Sequence, residues 1–167
     1  MNAQTIDIIN PANDIGIKNW YLVNDDVMGG VSKSSIELNN QNKLVFKGFL
    51  SLENNGGFAS TRLALNKGKL KEVKAFKIKF KGDGNSYKLR LRQNNRRAVY
   101  SSKFITNPKK WLEVKIPVEE FKPTWRGFSY TNYPKVDTEK IITLGLQISD
   151  KQEGNFKLEI EYIKAVF

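Results

Sequence analysis

The chain has 167 residues, 28 Lys and Arg against 17 Asp and Glu for a net charge of +11, and neither cysteine nor histidine. Without cysteine there is no thiol catalysis, disulfide or zinc–thiolate site. Without histidine there is no Ser-His-Asp or Cys-His machinery, and the commonest transition-metal ligand is missing.

A chain of this length buries roughly 70% of its unfolded surface, so one domain over 1–167 is expected to fold without a staple. The first residues, MNAQTIDIINPAND, lack the basic and apolar regions of a secretory signal and the Arg-rich pattern of a mitochondrial presequence. No run approaches the roughly 20 apolar residues of a membrane span. The chain therefore reads as cytoplasmic.

From there on, apolar and polar residues alternate with a period of two, the pattern of half-buried strands. Strands are expected over 32–38, 43–50 and 58–65. In 75–81, Phe76, Ile78 and Phe80 alternate with Lys77, Lys79 and Lys81. In 87–92, Tyr87, Leu89 and Leu91 alternate with Lys88, Arg90 and Arg92. Between these two strands, Gly82-Asp83-Gly84-Asn85 predicts a hairpin, which would place both basic stripes on one sheet face. Further strands are expected over 98–105, 111–117 (with Trp111 in the core), 142–149 and 156–162. In the last, Phe156, Leu158, Ile160 and Tyr162 share a face. The stretch 121–138 is irregular and rich in aromatics, which predicts a functional or packed-down loop. Many short strands between Gly- and Asn-rich turns imply an all-β sandwich or jelly roll.

Several polar groups are candidates for chemistry. Asn24-Asp25-Asp26-Val27-Met28-Gly29-Gly30 offers two or three oxygen ligands to Ca²⁺ or to a sugar hydroxyl, or else an Asx-type loop that bonds its own backbone. Arg62, on a strand after the Asn54-Asn55-Gly56-Gly57 turn, fits a structural ion pair or the same binding end. The basic stripes fit a solvated face or an anion-binding sheet for nucleic acid. Trp125, Phe128, Tyr130 and Tyr133 fit a carbohydrate platform or a packed lid. Asp25, Asp83 and Asp150 all fall in loops, and their spacing does not favour a glycosidase pair.

Longer blocks resemble a known family. Trp20 followed by Val23-Asn24-Asp25-Asp26-Val27-Met28-Gly29-Gly30-Val31-Ser32 is similar to the N-terminal signature of the complex I intermediate-associated protein 30 family, which has Gly where Asp26 stands here. The block from Phe46 through Gly56-Gly57-Phe58-Ala59-Ser60 to Arg62 resembles its second motif. Gly82-Asp83-Gly84 with Tyr87 and Leu89-Arg90-Leu91-Arg92, then Trp125-Arg126-Gly127, then Ile148-Ser149-Asp150-Lys151 with Gly154 and Phe156, resemble the rest. The resemblance runs over about 20–167. It implies a galactose-binding-domain-like jelly roll and, from mitochondrial members, a chaperone-like role in assembling a respiratory complex. Stand-alone chains of this size resemble the bacterial branch. Some plant relatives add a dinucleotide-binding fold, but this chain has no GxGxxG motif to support one.

The expectation is a non-catalytic module that binds a protein partner through loops at one end of the sandwich, with carbohydrate or nucleic acid as alternatives. The contributing positions are expected to be Asn24, Asp25, Met28, Gly30, Arg62, Asp83, Arg90, Arg92 and Arg126. No catalytic residue, metal ligand or cofactor is expected.

Overall fold

The alternation seen in the sequence is realised as thirteen strands in a computed structural model that describes residues 4–167. They are β1 (Thr5–Ile9), β2 (Trp20–Leu22), β3 (Lys33–Leu38), β4 (Leu44–Leu50), β5 (Ala59–Ala64), β6 (Ala75–Lys81) and β7 (Ser86–Gln93). The remainder are β8 (Val99–Ile105), β9 (Leu112–Pro117), β10 (Lys122–Trp125), β11 (Phe128–Ser129), β12 (Ile141–Ile148) and β13 (Gly154–Val166). Short 3-10 turns are the only helical segments among the described residues.

Every strand pairing is antiparallel. One sheet runs β3-β4-β13-β6-β9, with β1 also on β13; the other runs β11-β10-β8-β7-β12-β5-β2. The two sheets face each other as a jelly-roll sandwich. The hub of the first sheet is β13: its first half pairs with β4 (Gly154 opposite Leu50), its second half with β1 (Thr5 opposite Val166), and β6 lies along its other side.

Inward side chains of both sheets form one apolar cluster. At one end, five rings link the layers. Phe46 meets Phe156 at 5.1 Å between centroids, Phe156 meets Tyr87 across the sandwich at 6.5 Å, Tyr87 meets Phe104 at 6.2 Å, and Phe104 crosses back to Phe80 at 4.7 Å. Tilted and edge-on aromatic pairs of this kind add to the stabilisation from burial alone.

The structure corrects the sequence reading in several places. The 82–85 turn is not a hairpin. Strand β6 pairs with β13 and β9, and β7 with β8 and β12, so the turn carries the chain from one sheet to the other. Two amphipathic neighbours can either pair edge to edge or face each other across a core, and alternation alone does not separate the two. Here the close approach of Thr106 to Gly82, where a Cβ would collide with the Thr106 side chain, and the bonds of Asp83 to Lys157 and Tyr87 hold the crossover.

The basic stripes therefore lie on opposite outer faces. On β6, Lys79 lies opposite Glu113, Lys81 lies opposite Glu159, and Glu161 sits 2.8 Å from both Lys43 and Lys79, whereas Lys77 lies between Lys115 and Lys164. Those two lysine bonds hold the Glu161 carboxyl below its usual value.

In β13 a register shift between Ile160 and Tyr162 reverses the phase. Ile163 and Ala165 then continue the core face, and Tyr162 turns outward, its hydroxyl donating to Glu113. Trp111 is half-buried just ahead of β9, with Lys43 Nζ 5.7 Å from its ring, rather than in the core. The irregular stretch 121–138 contains the β10–β11 hairpin, which extends the second sheet.

Candidate functional site

The signature loop after β2 is organised by one carboxylate. Asp25 is fully buried. Its Oδ1 accepts from the Ser32 N–H at 2.9 Å, and its Oδ2 accepts from Ser32 Oγ at 2.5 Å and from the N–H groups of Gly57 and Phe58 at 2.7 and 3.4 Å. Burial pushes this carboxyl up, but the donated hydrogens outweigh burial and leave it below its usual value. Ser32 Oγ in turn accepts from the Ser51 N–H at 2.9 Å. One side chain thus ties the β2–β3 loop to the β4–β5 loop.

The glycines of the motif follow from this contact. A Cβ on Gly30 or Gly56 would collide with the Asp25 carboxylate. Gly29 closes the 3-10 turn Asp25–Met28 at φ 88°. Asn24 Oδ1 accepts from Ser34 Oγ at 2.8 Å and the Ser60 N–H at 3.3 Å. Of the expected binding positions here, Asn24, Asp25 and Gly30 are therefore turned toward the protein. What the loop offers outward is Val27, 68% exposed, and Met28, 58% exposed, with Val31 and Leu52 also exposed.

Arg62, Arg90 and Arg92 do not join that end. They lie on the outer face of the seven-stranded sheet, where Gly145 of β12 is the register partner of both Arg62 and Arg90, and Thr143 is the partner of Arg92. The ion pair expected for Arg62 is absent: the three arginines take part in none of the eight ion pairs among the described residues. The Nε of Arg90 is buried without a hydrogen-bond partner. Burial first, then the charges of Arg62 and Arg92, bring the Arg90 guanidinium down to about 10, so it stays charged at neutral pH. Further along the same face, Lys88 and Lys103 are matched by Asp150 at 3.2 and 2.8 Å.

The remaining expected residues lie elsewhere. Asp83 receives the Tyr87 hydroxyl at 3.0 Å and the Lys157 N–H at 2.8 Å. Arg126, at φ 49° in the β10–β11 hairpin, is 5.3 Å from the Trp125 ring, and Arg97 is 5.2 Å from the same ring. Tyr130 and Tyr133 pack on each other at 4.4 Å, leaving Phe128, 77% exposed, as the open aromatic of that loop.

Residues 9–160 match the family model described as complex I intermediate-associated protein 30. The chain belongs to this family. The complex I intermediate-associated protein 30 of mouse mitochondria is 25% identical over 86% of this chain and 51% of its own length. An uncharacterized protein of Schizosaccharomyces pombe is 26% identical over 89% of this chain and 80% of its own. The chain thus spans about half the length of the mouse member. In fold, the chain is similar to the family 11 carbohydrate-binding module of the Clostridium thermocellum cellulase Lic26A-Cel5E. The TM-score is 0.74 at 14% identity, over 99% of this chain and 94% of that one. It is also similar to a family 29 carbohydrate-binding module (TM-score 0.63, 8% identity, 99% and 87% coverage). These two likenesses show the galactose-binding-like jelly roll and nothing about ligand.

Proposed function

We propose that the chain is a non-catalytic module that engages a protein partner through the loop tip formed by Val27 and Met28. The observation that carries this reading is the pairing of a fully buried carboxylate with an exposed apolar pair at the tip. An exposed Met–Val pair on a loop already tied at both sides loses little conformational freedom on docking, and a preorganised apolar anchor is the usual core of a protein–protein hot spot. Val31 and Leu52 widen the patch. The family name, which refers to an intermediate of complex I, supports a protein partner by likeness.

Catalysis has little to work with. Asp25 and Asp83 accept hydrogens from the protein itself, and Asp150 is shared by two lysines. A sugar platform needs open ring faces, whereas Tyr130 and Tyr133 cover each other.

The test is affinity capture from a native lysate, at low and moderate salt and after nuclease, with the wild type and a Val27→Asp/Met28→Asp variant. A discrete protein is expected to stay bound through salt and nuclease. In the variant it should be lost or weakened about 30-fold or more, the size of a hot spot of at least about 2 kcal/mol. The melting temperature should not change, because both side chains lie in water. Equal capture by the variant, or loss of the partner to nuclease, sinks the reading.

A further inference from the structure

The three arginines around Gly145 are not explained by the loop tip. They sit on central strands, not on an edge where basic residues guard against strand addition. They are also not solvated in the ordinary way, since burial weakens the hold of Arg90 and Arg92 on their protons and Arg90 Nε is buried without a protein acceptor. Three like charges held close together on one partly buried face, without a carboxylate among them, favour an anion that balances them.

The floor between them is shaped for a small group. Gly145 carries no side chain, and above it lies a slot of about 10 Å³ bordered by Arg62, Arg90, Arg92 and Thr143. A glycine inside a central strand is a common mark of close approach by a ligand. A carboxylate has two oxygens in one plane and a single charge. A phosphate has oxygens directed to several sides and up to two charges, which suits three arginines that border one slot.

We propose that Arg62, Arg90 and Arg92 form a binding site for a phosphate group, carried by free phosphate or by a monoester, with one oxygen in the slot beside Gly145 and guanidinium N–H groups donating to it. The site goes beyond the protein-docking tip and does not depend on it.

The experiment is calorimetric titration of the full chain with inorganic phosphate and, separately, with glycerol phosphate, each at constant ionic strength against chloride. Saturable binding of at least one is expected in the wild type. Arg90→Met should weaken it about tenfold or more while melting in chloride no lower than the wild type, because the replacement removes an unpaired buried charge. Arg62→Met supplies the same reading if Arg90→Met does not fold. The Val27→Asp/Met28→Asp variant should bind phosphate like the wild type, which keeps a failure of the docking tip distinct from a failure of this site. Tighter binding of the ester assigns a phosphorylated molecule as the ligand, and equal or weaker binding assigns the free anion. Heats no different from a chloride blank, or undiminished binding by both arginine variants, overturn the proposal.

Discussion

Replacing Asp25 with alanine is expected to destabilise the fold by about 3–4 kcal/mol, read as a fall of roughly 10 °C in melting temperature. The substitution strands the N–H groups of Ser32, Gly57 and Phe58 and the Ser32 hydroxyl, all of which donate to this carboxylate in the interior. Buried donors left without an acceptor cost more than the bonds were worth in water. Gly56→Ala attacks the same contact from the other side by driving a methyl group into the carboxylate. The two substitutions should therefore be sub-additive by about 1 kcal/mol or more in a double-mutant cycle.

The pH dependence follows from the direction of the shift. Asp25 in the folded state lies below its ordinary value of 3.8. Its stabilisation is fully present above that value and is lost as pH falls through the lower folded value, because the unfolded chain takes up the proton first. The gap between wild type and Asp25→Ala should accordingly narrow as pH falls below about 4 and stay constant above it. A gap that is constant down to pH 2 would assign the effect to packing, not to the charge.

Phe104→Ala should be comparably severe, at about 3–5 kcal/mol. Phe104 is almost fully buried and is the one ring of β8 in the aromatic chain, touching Tyr87 within its own sheet and Phe80 in the facing one. Its removal opens a cavity at the seam between the layers, where neither sheet can collapse without moving the other. Phe128→Ala, in the exposed hairpin, should stay within about 0.5 kcal/mol. Urea titration of both variants checks this, with an unchanged slope showing that the denatured state is not what moved. A cost below about 1.5 kcal/mol for Phe104→Ala would mean that the ring chain does not couple the sheets.

The strands that alternate over six or more residues were legible from the sequence, because burying one face of a sheet writes a period of two into the chain. Pairing was not. Strands β6 and β7 carry the same pattern and the same turn chemistry between them, and only the long-range partners β13 and β12 send them to different sheets. The phase change in β13 was hidden for a similar reason: Tyr162 continues the apolar alternation in sequence, and the bulge that turns it outward is a property of the ladder with β6. Strands β1 and β2 went unread, although Thr5-Ile6-Asp7-Ile8-Ile9 is rich in β-branched residues.

At the signature loop, the sequence singled out Asn24, Asp25, Met28 and Gly30 but not the direction in which each one faces. Asp25 beside two glycines fits an outward ligand as well as an inward one, and burial decides it. Val27, the most exposed residue of the tip, carried a signal in being apolar within a turn. Gly145 carried one in being a lone glycine within an apolar run.

The order of synthesis meets an obstacle in this topology. The middle of the six-stranded sheet is β13, so β4 must wait about a hundred residues for its partner, on the order of 5–20 s at ribosomal speed. Until then β3–β4 and β6–β9 are separate ribbons with Phe46, Phe76 and Phe80 uncovered, and β1 has no partner strand at all. A nascent chain of this kind is exposed to aggregation until β13 emerges, because that strand alone joins the separate ribbons of the six-stranded sheet.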